Sequence, residues 1–125
     1  VSTTQQSKGA ELERRFISFA IDIISLTNKV PKTLPGRHIC KQILRSGTAT
    51  AANYGEARAA ESRADFIHKL GIVLKELNET GIWLQLILGS SLLTNTDIDS
   101  VIAENRELSR IITASIKTAR GPSAQ

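Results

Sequence analysis

The sequence predicts an all-α fold, an up-and-down four-helix bundle, and three observations carry that prediction. No proline interrupts the chain between Arg37 and Arg120, so nothing there forbids a continuous helix. Apolar residues recur at alternating spacings of four and three, the stripe a helix shows to a bundle core. Short polar or Gly/Pro-containing breaks divide the chain into four segments of helix length, and short loops make neighbouring helices antiparallel.

Residues 1–9 (VSTTQQSKG) are polar and aperiodic, and a disordered N-terminal arm is expected there, with the bundle spanning residues 10–118. From Glu11 the pattern changes. Leu12, Phe16, Phe19, Ile23, Leu26 and Val30 form the stripe of helix 1, and Ile17, Ala20, Ile21 and Ile24 widen it. The segment PKTLPG, residues 31–36, ends that helix near Lys29, and helix 2 is expected from about Arg37 to Ala60. Ser62 followed by Asp65 has capping-box spacing and opens helix 3. Phe66, Leu70, Val73, Leu77, Thr80, Leu84 and Ile87 then continue the four–three alternation. Thr94 or Thr96 is expected to cap helix 4, with Asp97 and Asp99 in its first turn. Its inward residues are Ile98, Val101, Ile102, Leu108, Ile111, Ile112 and Ile116, with Asn105 interrupting the stripe. Lys117, Arg120, Gly121 and Pro122 form the stop, and residues 119–125 are expected to be a flexible tail.

Helix 2 is unusual. Between Gln42 and Glu56 (QILRSGTATAANYGE) it is rich in small residues and carries two glycines, each costing roughly 1 kcal/mol in a helix relative to alanine. Such a composition fits a central helix onto which neighbouring backbones press closely. Arg45, Asn53 and Glu56 lie on faces that should meet Glu79 of helix 3, so these four are expected to form a structural polar lock. Glu76 is a further carboxylate at that seam. In helix 3 the segment IWLQLIL, residues 82–88, is apolar nearly all round. Its excess predicts subunit contacts through Trp83, Leu84 and Ile87, because one bundle covers about one stripe per helix.

The chain carries 16 Lys and Arg against 12 Asp and Glu among 125 residues, for a pI near 9.6. The excess is local. Between Lys29 and Lys75 there are nine basic residues and three acidic ones, a distribution that suits a polyanion-binding surface. Lys29, Lys32, Arg37, Lys41, Arg58 and Arg63 are the candidate nucleic-acid contacts. Apolar residues at 41% and charged residues at 22% exclude wholesale disorder. One cysteine, Cys40, excludes an intrachain disulfide framework, and its spacing from Ile43 and Leu44 makes it a small buried hydrophobe. No signal peptide or membrane-length apolar run is present, so a cytoplasmic protein with no membrane contact is expected. The chain lacks methionine altogether, and Val1 is expected to be a processed start.

Nothing in the sequence assembles a catalytic or metal centre. His38 and His68 stand thirty residues apart and belong to no His-x-x-x-His or Glu-x-x-His pair. No serine, histidine and acid share a suggestive spacing, and no strand precedes a Gly-rich loop. The expectation is no cofactor, no metal and no enzyme.

The run from Leu34 to Leu84 resembles a known family. Its features are Leu34-Pro35, Gln42, Leu44-Arg45-Ser46, Asn53, Glu56, Ser62, Asp65-Phe66, Lys75-Glu76-Leu77, Glu79-Thr80 and Trp83-Leu84. It is similar to small bacterial four-helix-bundle proteins encoded in intervening sequences of 23S rRNA genes, also called S23 ribosomal proteins. Helices 1 and 4 agree with them in pattern only. The resemblance implies a four-helix bundle, a ring-like homo-oligomer of five copies, and no known enzymatic activity. It extends to the accessory proteins of diversity-generating retroelements, basic pentameric barrels thought to bind nucleic acid and a reverse transcriptase. Two functions are therefore expected in competition: an oligomeric scaffold that binds RNA through basic charge, or a protein-interaction module, for example a reverse-transcriptase partner, whose charge is incidental.

Overall fold

The computed structural model describes residues 3–122. Four antiparallel helices follow one another: α1 (Thr3–Lys29), α2 (Leu34–Arg58), α3 (Arg63–Gly89) and α4 (Asn95–Arg120). Among the described residues there is no strand. Consecutive helices pack side by side, and α1 closes the bundle against α4 along the lightest seam. α1 and α3 stand diagonally, with no close backbone approach between them.

The first helix begins at Thr3, so residues 3–9 are helical where a disordered arm was expected. Gln and Lys are good helix formers, and extending an existing helix avoids the cost of a new nucleus. Residues 1–2 of that arm, and residues 123–125 of the expected tail, lie outside the described residues. Ala119 and Arg120 complete α4, which stops at Gly121 in a left-handed conformation (φ 78°).

The second helix starts at Leu34, three residues earlier than the sequence indicates. Pro35 is part of the reason, because in a first turn its missing N–H removes no helical bond. The Thr33 hydroxyl accepts from the Gly36 amide at 3.2 Å and caps the end. A side chain at Gly36 would place its Cβ 2.0 Å from the Pro31 carbonyl oxygen, so the α1–α2 corner requires glycine there. Ser62 caps α3 as expected, accepting from the Asp65 amide at 3.0 Å. Thr94 precedes α4 without capping its backbone, its hydroxyl lying instead 3.0 Å from the Asp97 carboxylate.

The small residues of α2 perform the packing role their size implies. Ser46, Gly47 and Thr50 are buried, and a Cβ on Gly47 would come within 2.9 Å of Ile23 on α1. On the α3 side, Ser46 Oγ and Thr80 Oγ1 share a hydrogen bond of 2.8 Å, both side chains fully out of solvent. Tyr54, the large ring of this stretch, stacks on Phe16 with centroids 4.9 Å apart. The core is made of the stripes read from the sequence, among them Phe19, Ile23, Leu70, Leu77, Leu108 and Ile112. Asn105 sits in that core and donates to the Leu77 carbonyl at 3.1 Å, which satisfies a polar group that burial would otherwise penalise.

Candidate nucleic-acid interface

The six basic residues singled out in the sequence separate into two groups. Lys29, Lys32, Arg37 and Lys41 gather at the α1–α2 corner. Lys29 closes α1, Lys32 sits in the turn, and Arg37 and Lys41 lie one turn apart on the outer face of α2. Arg58 and Arg63 belong to the opposite end of the bundle, Arg58 roughly 30 Å from Arg37 along α2 at 1.5 Å per residue. They therefore do not share a surface with the corner. Arg58 is moreover committed to Glu13 of α1, at 2.5 Å.

At the corner one of the four cations has an acidic partner and three do not. Lys29 reaches Asp97 at 3.5 Å. Among the described residues no carboxylate comes within ion-pair distance of Lys32, Arg37 or Lys41. Elsewhere pairing is mixed: among the described residues Arg14, Arg63, Lys75, Arg106, Lys117 and Arg120 also lack an acidic partner, whereas others are paired. Arg15 holds Glu104 across the α1–α4 seam at 2.7 Å, and Arg45, Lys69 and Arg110 also have acidic partners. Lys32, Arg37 and Lys41 line an open cavity of about 250 Å³ whose apolar lining includes Val30, Cys40 and the exposed Leu44. The Cys40 thiol lies 3.7 Å from the Thr27 carbonyl oxygen, and burial pushes its pKa up. A thiol so held is a packing group and a weak nucleophile.

The expected polar lock resolves into separate contacts at the edge of the α2–α3 seam. Arg45 reaches Glu76 at 3.2 Å and Glu79 at 2.6 Å. The Trp83 indole N–H donates to the same Glu79 carboxylate at 3.1 Å. Arg45 first, and Trp83 second, hold the Glu79 carboxyl below its usual range. Glu56 instead pairs with Lys69 at 2.9 Å, and the Asn53 amide donates to the Ala49 carbonyl of its own helix at 2.9 Å. The four residues are thus not one buried cluster. Eleven residues of helix, roughly 16 Å, separate Arg45 from Glu56, and the Arg45 side chain is half exposed. The polar contact that is buried at this seam, Ser46 with Thr80, was visible in the sequence only as two small residues on facing stripes.

The expected interface of Trp83, Leu84 and Ile87 also needs correction. Leu84 and Ile87 are 1% and 0% exposed within the single chain, so they belong to its own core. Both lie on the stripe of Leu77 and Thr80 and must point inward. Trp83 is half-buried beside Glu79, with its ring edge-to-face against His38. The apolar excess of α3 emerges at Ile82 and Leu86, and that of α1 at Ile17, Ile21 and Ile24, all 45–61% exposed.

Among the described residues no three His, Cys, Asp or Glu side chains are grouped to hold a metal. No helix among them is long and apolar enough to cross a membrane. Comparison with curated proteins finds no match. Among solved structures the chain is similar to a protein of unknown function from the S23 ribosomal protein family of Bacteroides thetaiotaomicron. The two share 37% sequence identity with a TM-score of 0.81, over 88% of this chain and 98% of that one. Residues 10–114 match the family model of the 23S rRNA-intervening sequence protein. Matched by that model over most of its length and by a solved relative at 37% identity, the chain belongs to the 23S rRNA-intervening sequence protein family.

Proposed function

We propose that this protein is a non-enzymatic scaffold that binds RNA through the α1–α2 corner and acts as a homo-oligomer. The observation that carries the reading is the set of Lys32, Arg37 and Lys41, exposed at one end of the bundle and lacking acidic partners among the described residues. Unneutralised cations attract a phosphate backbone, and releasing its condensed counterions drives binding. The family's name, tied to intervening sequences of 23S rRNA, makes RNA the polyanion of choice.

Assembly into a ring is supported by where the apolar surface lies. Ile17, Ile21 and Ile24 repeat at helical spacing on α1, and Ile82 and Leu86 do so on α3. Because α1 and α3 are diagonal, these patches face away from each other. Two different patches on opposite sides fit a head-to-tail contact, which closes into a ring when the rotation allows. Burial between copies removes apolar surface from water at roughly 25 cal/mol per Å². Five copies, the number implied by the resemblance, would bring five basic corners to bear on one RNA.

A titration of the native protein against structured RNA at low and moderate salt tests the reading. Tight binding at low salt that weakens steeply with added salt is expected; no binding at low salt contradicts it. The exposed α1 stripe equally suits a second protein as partner, with the charge incidental. Recovery of a protein by pull-down after nuclease treatment, with Lys41→Glu leaving that recovery intact, would favour this second reading.

A further inference from the structure

The corner holds more than charge. Its cations surround an apolar hollow that the bundle does not fill. We infer that this cavity receives the base of one unpaired nucleotide, while Lys32, Arg37 and Lys41 hold the flanking phosphates; the inference rests on the RNA-binding reading above. At about 250 Å³ the cavity falls just below the range of roughly 300–1,000 Å³ typical of small-molecule pockets. That is room for one flat heterocycle and little else. Val30, Pro31, Cys40 and Leu44 make its lining largely apolar, suited to a ring face rather than to a phosphate. Arg37 and Lys41 follow each other at i and i+4, about 6 Å apart at the helix surface. They stand at the mouth, where a backbone entering with the base would pass. The Arg37 guanidinium also offers a planar surface on which a base can stack.

The lining says which nucleic acid fits. A duplex keeps its bases stacked inside and cannot offer one to a hollow on a convex helical corner, whereas loops, bulges and single strands can. Two polar groups of the lining are already engaged as donors. Thr27 Oγ1 bonds the Ile24 carbonyl at 2.7 Å, and the Cys40 thiol lies against the Thr27 carbonyl. The Thr27 and Cys40 hydrogens are thus spent, and what remains to meet a base edge is the Thr27 hydroxyl oxygen and the mobile cations at the mouth, so the cavity takes a base without discriminating strongly among the four. The recognition is for an unpaired nucleotide, not for a sequence.

The test compares a single-stranded oligouridine with a blunt RNA duplex of equal length, on the native protein and two variants. Cys40→Phe fills the hollow and leaves the charges in place; Lys41→Glu does the reverse. The native protein should bind the single strand about ten-fold more tightly than the duplex, the scale of one base contact. Cys40→Phe should erase that preference and keep duplex affinity, while Lys41→Glu should weaken both. A readout on the unaltered chain does not depend on the variant folding: oligouridine should slow modification of the Cys40 thiol by a maleimide, and the duplex should not. Equal modification rates with and without bound oligouridine overturn the cavity inference while RNA binding stands. Absence of binding by either RNA at low salt removes the RNA reading itself, and this inference with it.

Discussion

At the residue scale the polar contacts differ in consequence because they differ in burial. Ser46 and Thr80 meet fully out of solvent. Thr80→Val strands the Ser46 hydroxyl, whose other contact, the Ile43 carbonyl, is 3.5 Å away. A buried group left without its partner costs about 1–3 kcal/mol, and the melting temperature should fall accordingly. Adding Ser46→Ala should recover part of the loss, and a strictly additive double variant would show that the pair is not coupled. Glu79 acts differently. Its carboxyl is held below the usual range by Arg45 and Trp83, so the folded state binds fewer protons than the unfolded chain. Its contribution is complete above the ordinary glutamate pKa of about 4.3 and disappears as pH falls through the lower folded value. Glu79→Gln should therefore flatten the acid limb of a melting-temperature profile; an unchanged limb would place the acid sensitivity elsewhere. These residues also mark what was legible. Of the four residues read as one lock, Arg45 and Glu79 meet. Asn53 and Glu56 make other contacts, because a shared face says nothing of distance along the helix axis.

At the scale of elements, the small-residue stretch of α2 was the clearest signal in the chain, and it packs as its composition implies. Gly47 sits so close to Ile23 that an added Cβ would fall at 2.9 Å. Gly47→Val should push α1 away and destabilise the fold by about 1–3 kcal/mol, the range for overpacking a filled core. Chemical denaturation measures this, and partial rescue by Ile23→Ala would place the strain at that contact. Helix starts were less legible. Pro35 reads as a breaker until Thr33 is recognised as the cap, after which the same proline belongs to a first turn. The polar residues 3–9 read as an arm because periodicity is the cue for a helix, yet a helix needs an apolar stripe only where it is covered. In α3 the apolar run concealed its own answer. Leu84 and Ile87 continue the stripe from Leu77 and face inward, so the surface excess had to lie at Ile82 and Leu86.

At the scale of the whole molecule, the fold was readable and the ligand was not. Charge was counted along the sequence, which grouped Arg58 and Arg63 with the corner; antiparallel packing sends them to the far end. Only the three-dimensional arrangement separates the cations with acidic partners from those without. Assembly is tested at the same scale. Ile21→Lys and Ile82→Lys, on opposite sides of the bundle, should each lower the mass seen by light scattering at micromolar concentration and leave helicity unchanged. A monomeric mass for the unaltered protein would contradict the ring.

The account rests most on the basic corner, and one measurement reaches it directly: the salt dependence of RNA affinity for the native protein and for the triple variant Lys32→Glu, Arg37→Glu, Lys41→Glu. Each phosphate contact contributes roughly 0.7–0.9 to the slope of log affinity against log salt. The triple variant, exposed at every altered position, should melt as the native protein does, bind far more weakly, and lose about two to three units of slope. An affinity and slope unchanged by the three reversals would contradict the corner as the RNA-binding surface.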